Sequence, residues 1–126
     1  MGLDLAHQVD FLFVALVGGE ETSKFASSEV IRALGPDCIL INISRGSTVD
    51  EDALLEALET KALRGAALDV FAGEPNINPK FLELDNVFMQ PHQGSGTVET
   101  REAMSKLQRD NLSNFFANRA LLTPVN

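Results

Sequence analysis

Apolar residues in this chain fall into short dense runs separated by amphipathic stretches. Residues 10–17 (DFLFVALV), 38–43 (CILINI), 66–71 (AALDVF) and 87–90 (VFMQ) have the length and continuity of parallel strands covered on both faces. Residues 2–9 read as a weak helix with Leu3, Leu5, Ala6 and Val9 apolar. Ser27 or Ser28 is placed to cap a helix carrying Val30, Ile31 and Leu34, which Gly35-Pro36 stops. Asp50 is placed to cap the next helix. Glu51 and Asp52 then fall in its first turn, where the backbone dipole favours negative charge. Ala53, Leu54, Ala57 and Leu58 give that helix its apolar face, and it should end near Lys61. Residues 72–86, with Pro75 and Pro79, read as an irregular loop holding one helical turn over 80–84. Thr97 caps a long last helix over about 98–117, whose broad apolar side is Met104, Leu107, Leu112, Phe115 and Phe116. The tail 121–126 reads as extended. Alternating strands and helices predict an α/β fold: a parallel sheet of about four strands, flanking helices and right-handed crossovers.

The 126 residues fit one domain with a modest core. A net charge of −8 argues against nucleic acid or an anionic membrane surface as a partner, since both require a basic face. No run reaches the roughly 18 apolar residues of a membrane helix. Residues 11–19 are too short, and Asp4 and Asp10 precede them rather than basic residues, so they do not read as a signal peptide. The single cysteine, Cys38, lies in an apolar run and reads as a small buried hydrophobe. One thiol makes no internal disulfide, so a reducing, cytoplasmic compartment is expected. One cysteine with the distant His7 and His92 makes no zinc ligand set, and no metal is expected.

Parallel sheets place their active sites at the carboxyl ends of the strands. Arg45, Asp69, Glu74 and His92 all follow predicted strand ends. The planar guanidinium of Arg45 suits a carboxylate held by two parallel hydrogen bonds, although a surface arginine closing a turn has the same spacing. An imidazole titrates near neutrality and moves protons, so His92 is a candidate acid or a structural histidine. A carboxylate beside an imidazole keeps the ring oriented and favours its protonated form, which is the candidate role of Glu74; a solvated loop glutamate is the alternative. Asp69, in LDVF, requires a partner if buried, and backbone amides would suffice. Ser44, Ser47 and Ser95 lack a Gly-x-Ser-x-Gly context. The Gly94-Ser95-Gly96 turn reads as a close backbone approach to a ligand or the opening of the last helix. No Gly-x-Gly-x-x-Gly occurs in these residues.

The runs 41–51 (INISRGSTVDE), 65–75 (GAALDVFAGEP) and 90–97 (QPHQGSGT), in this order and spacing, resemble the D-isomer-specific 2-hydroxyacid dehydrogenases. LVGGEET at 16–22 and the wording after His92 are most similar to the hydroxypyruvate and glyoxylate reductase branch. The likeness extends over about 4–126. It implies a partial Rossmann-like sheet and an oxidoreductase passing hydride between NAD or NADP and a small 2-keto or 2-hydroxy acid. It implies that Arg45 binds the substrate carboxylate and carbonyl. It further implies that His92 protonates the carbonyl oxygen and that Glu74 pairs with His92. Asp69 is implied to contact the nicotinamide carboxamide, and Leu16, Val17, Gly18, Ser44, Arg45, His92 and Gly94 to line the cofactor.

Against the family pattern, residues 1–126 read as one dinucleotide-binding domain lacking its Gly-x-Gly-x-x-Gly half and the substrate domain. Weak cofactor binding and little turnover are therefore expected of the isolated chain. In the complete sheet the expected strand order is 3-2-1-4-5-6, so loss of strands 1 and 2 would separate this chain's first strand from its second. That strand would then move beside the second, or pair with another copy. Exposed apolar sheet makes a homodimer the expectation. Two other functions remain open at this point: a self-associating piece without turnover, and a small hydrolase using His92 and Glu74 with a serine.

Overall fold

Four short strands form one parallel sheet in the order β1-β2-β3-β4: β1 Phe11–Val14, β2 Ile39–Asn42, β3 Gly65–Leu68 and β4 Val87–Met89. The computed structural model describes residues 2–125; Met1 and Asn126, the ends of the expected 1–126 domain, lie outside the described residues. The chain divides into two compact units, Met1–His92 and Gln93–Asn126. The first holds the sheet and three helices, α1 Gly2–Ala6, α2 Ser28–Leu34 and α3 Glu51–Glu59. The second holds α4, Val98–Phe116.

The strands are shorter than their apolar runs. β1 stops at Val14 rather than at residue 17, and β3 stops at Leu68, leaving Asp69 one residue beyond it. The ladder nevertheless continues past the strands: Ile43 N–H donates to the Val14 carbonyl (3.1 Å), Asp69 N–H to Asn42 (3.0 Å) and Gln90 N–H to Leu68 (2.8 Å). β1 pairs β2 from Phe11 opposite Ile39 to Val14 opposite Asn42. Of the two arrangements expected for the first strand, pairing beside the second is the one observed.

Side chains alternate across a strand. Val14, Leu40, Ala66 and Leu68 point into one core with Val30, Ile31, Leu34, Leu54 and Leu58 of α2 and α3. The opposite face carries Phe11, Phe13, Ile43 and Phe88, between 53% and 64% exposed. Only one face of the sheet is therefore covered by α1 to α3.

The helix boundaries follow from caps. Ser27, not Ser28, caps α2 by accepting the Val30 N–H, and Gly35, at φ +77°, ends it. Asp50 caps α3 by accepting the Ala53 N–H. The loop after β3 is anchored by Phe81, which is fully buried on a 3₁₀ turn, Pro79–Glu83, and meets the Phe71 ring edge-on at 5.6 Å.

In the second unit, Thr97 caps α4 by accepting the Thr100 N–H. No residue of α4 is buried, so the expected apolar side (Met104, Leu107, Leu112, Phe115, Phe116) stays solvent-exposed. The described tail is not simply extended: Asn111 Oδ1 accepts the N–H groups of Leu122 (2.9 Å) and Thr123 (3.2 Å) and folds it back on the helix.

Gly46 is the most closely approached glycine described in the first unit. A Cβ there would lie 2.0 Å from Phe71 C and 2.3 Å from Ala72 N. Gly46→Ala is expected to cost about 1–3 kcal/mol or more, read as a lowered urea midpoint with the slope unchanged.

Candidate active site

Because all four strands are parallel, their carboxyl ends lie along one edge of the sheet. Neighbouring strands are about 4.8 Å apart. The residues that leave this edge are Leu16, Val17 and Gly18 after β1, Ser44 and Arg45 after β2, Asp69 after β3, and His92 after β4.

A groove of about 360 Å³ runs between the first two ends, lined by Ala15, Leu16, Val17, Gly18, Ile43, Ser44 and Arg45. A Cβ on Gly18 would sit 2.5 Å from Arg45 Cγ, so the bare backbone at Gly18 is what lets Arg45 lie across it. The guanidinium is exposed, and Nη1 donates to the Ser44 carbonyl at 2.6 Å.

Beneath Arg45 is a buried polar network. Asn42 Nδ2 donates to the Arg45 carbonyl at 3.0 Å, and Thr48 Oγ1 donates to the same oxygen at 2.7 Å. Asn42 Oδ1 accepts from Ser44 N–H (3.0 Å) and Ser44 Oγ (2.8 Å). Asn42, Ser44 and Thr48 are at most 5% exposed. Such a network is stable only when its members are satisfied, and it then fixes one backbone path. Here the path is that of the Arg45 turn.

The second grouping is the pair expected from the sequence. His92 Nδ1 and Glu74 Oε2 are 2.8 Å apart. The other Glu74 oxygen, Oε1, accepts the Phe71 N–H at 2.7 Å. Burial pushes the Glu74 carboxyl up. The hydrogen bonds from His92 and from Phe71 N–H outweigh that, and the group is held below its ordinary 4.5. His92 takes a left-handed backbone, φ +53°, which non-glycine residues adopt uncommonly. The pair borders an apolar pocket of about 450 Å³ that includes Phe71, Ile77, Leu82 and Met89.

The expected residues thus fall into two adjoining sets on one edge. Arg45 joins Leu16, Val17, Gly18 and Ser44, and Glu74 joins His92. Asp69 is 7% exposed, and its N–H completes the ladder to Asn42. Gly94 belongs to the second unit, in the turn that Gly96 N–H closes onto the Gln93 carbonyl at 2.8 Å. Ser44 lines the groove, but its hydroxyl is committed to Asn42 and Thr48, so it is not a free nucleophile. Reading the sequence for chemistry passed over Asn42 and Thr48. The available signal was a polar asparagine at the end of the apolar run ILIN, where an amide is costly unless bonded. Among the described residues, no three His, Cys, Asp or Glu groups cluster to hold a metal ion. No helix among them is long and apolar enough to cross a membrane. Cys38 is buried, and burial pushes its thiol above its ordinary value.

Residues 3–94 match a family profile described as D-isomer specific 2-hydroxyacid dehydrogenase, NAD binding domain. A 2-ketogluconate reductase from Gluconobacter oxydans is 50% identical over 121 residues, 96% of this chain and 39% of that protein. A glyoxylate/hydroxypyruvate reductase A from Arabidopsis thaliana is 48% identical over 98% of this chain and 39% of its own length. Among solved structures, an NADPH-dependent glyoxylate/hydroxypyruvate reductase from Sinorhizobium meliloti, in complex with NADP and malonate, superposes with a TM-score of 0.95. It is 46% identical, with 98% of this chain and 39% of that chain covered. The chain therefore spans about 39% of the length of these relatives. The superposition also corrects the expected strand displacement. β1 lies beside β2 as the corresponding strands do in the longer relative, so no strand has moved to fill a gap.

Because Glu74 is held below 4.5, its contribution to stability is fully present above that value and is lost as pH falls through the lowered folded value. Glu74→Gln is therefore expected to lower the urea midpoint at pH near 7, with the difference from the unaltered chain shrinking as pH falls below 4.5.

Proposed function

The chain belongs to the D-isomer specific 2-hydroxyacid dehydrogenase family, in the part described as its NAD binding domain, and from that premise we propose that Arg45, Glu74 and His92 handle the substrate of a 2-keto acid reductase. The observation that carries the reading is the 2.8 Å contact between His92 Nδ1 and Glu74 Oε2. With Nδ1–H given to the carboxylate, the ring is fixed in orientation and Nε2 is the atom left to hold the mobile proton. Glu74 is itself fixed by the Phe71 N–H, so the imidazole is held through two successive hydrogen bonds.

The groove lined by Leu16, Val17, Gly18 and Ser44 runs beside the Arg45 side chain, which occupies the space over Gly18. Those residues, with Asp69, would hold the nicotinamide end of NAD or NADP. When bound, the reduced cofactor supplies the hydride. Arg45 aligns a 2-keto carboxylate through its two-pronged guanidinium. His92 Nε2 gives its proton to the carbonyl oxygen as the hydroxyl forms, and Glu74 stabilises the imidazolium before transfer. The substrate class is a small 2-keto acid of the glyoxylate or hydroxypyruvate type. The buried lone thiol supports a reducing, cytoplasmic compartment.

A second reading, a self-associating piece without turnover, is favoured by the exposed Phe11, Phe13, Ile43 and Phe88 face. The two separate in one set of measurements. The chain is mixed with glyoxylate or hydroxypyruvate and NADH or NADPH, and nicotinamide absorbance is followed. Turnover that falls about 10²–10⁴-fold in His92→Ala supports the reductase. Turnover unchanged by that substitution sinks it. No cofactor binding by calorimetry, together with a dimeric mass by light scattering, supports the second reading.

A further inference from the structure

We propose that Glu51 is a positioning residue of this site: it clamps the peptide on which the Arg45 turn and the Glu74–His92 pair are jointly mounted. The proposal rests on the site reading above and extends it to a residue outside the expected set. Glu51 is the first residue of α3. Its Oε2 accepts the Ala72 N–H at 2.8 Å. That N–H belongs to the Phe71–Ala72 peptide, the group against which Gly46 is packed so closely that a Cβ would lie 2.0 Å from Phe71 C and 2.2 Å from Phe71 O. One residue earlier, the Phe71 N–H donates to Glu74 Oε1, whose partner oxygen meets His92.

These contacts form one continuous path. The turn that carries Arg45 bears on the Phe71–Ala72 peptide through Gly46. The same short segment supplies the amide that orients Glu74. Rotation of the Phe71–Ala72 peptide would break the fit to Gly46 and, because it turns on the Phe71 Cα, loosen the residue whose own N–H holds Glu74. Glu51 opposes that rotation, because a carboxylate accepting a backbone N–H is a stronger hold than water. The helix lends the clamp rigidity: Asp50, one residue before, caps α3 and pairs with Lys24 at 3.1 Å.

Glu51 also has an ordinary structural use as a negative charge in the first turn of a helix. Two substitutions separate the roles. Glu51→Asp keeps the charge and shortens the arm by one methylene, so the Ala72 amide is out of reach. Glu51→Gln loses the charge and keeps an accepting oxygen at the same reach. The readouts on the 126-residue chain are hydrogen exchange at the Ala72 and Phe71 amides and the carbon-13 titration of the Glu74 carboxyl. Neither depends on turnover, so failure of the reductase reading and failure of this one are distinguishable.

In Glu51→Asp, Ala72 exchange is expected to quicken about tenfold, with the Glu74 titration moving up toward its ordinary value. In Glu51→Gln both stay close to those of the unaltered chain. Unmoved exchange and titration in Glu51→Asp would overturn the proposal. So would changes in Glu51→Gln as large as those in Glu51→Asp, or changes in Glu51→Gln alone, since the reach would then not be the property that sets the clamp.

Discussion

The distance between Gly46 and the Phe71–Ala72 peptide sets the geometry of the whole carboxyl edge. A Cβ at Gly46 would overlap Phe71 C, at 2.0 Å, and Ala72 N, at 2.3 Å. Two segments from neighbouring strands can approach this closely only where one has no side chain. The contact joins the turn that holds Arg45 to the loop that holds Glu74. Phe71, just 8% exposed, in turn carries its ring against the fully buried Phe81, so the contact is tied to the core.

Buried polar groups and exposed polar groups divide the labour along this edge. Asn42, Ser44 and Thr48 are buried and bonded to one another and to the Arg45 carbonyl. They define a backbone path and have no hydroxyl to spare for chemistry. Arg45, Glu74 and His92 stand at the surface, where a solute reaches them, while each has its backbone or side chain held by a bonded partner. Exposure keeps the ionic groups hydrated, and the one Glu74–His92 hydrogen bond is held in place by the second bond that Glu74 accepts, from the Phe71 N–H, rather than by isolation in a dry interior.

Much of this was legible in the residues themselves. The apolar runs located all four strands, and Asp50 and Thr97 were correctly placed as caps because a short oxygen-bearing side chain just before a helical run has one good use. The strand ends were less legible: residues 15–17 continue the apolar run beyond β1, since an apolar residue leaving a sheet looks like one within it. The first strand pairs beside the second, one of the two arrangements expected, but the displacement expected to bring it there was wrong for a topological reason. Its neighbour is set by which strand of the longer sheet it is, and residue pattern carries no such index. The broad apolar side of α4 was likewise read as a packing surface, yet every one of its residues remains at least partly exposed. Periodicity reports amphipathicity and not what covers it.

The sequence by itself determined the α/β class, the parallel sense of the sheet, the family and the identity of the polar residues at the strand ends. It could do so because strand and helix periods, caps and three ordered motifs are properties of neighbouring residues. The tertiary structure alone decided which of those residues meet. Glu74 and His92 lie 18 positions apart, and Glu51 and Ala72 lie 21 apart. Their contacts depend on strand register, on a glycine close enough to a peptide to exclude any side chain, and on the path of a loop anchored by Phe81. None of these is encoded by local spacing, because each is set by how separate segments pack.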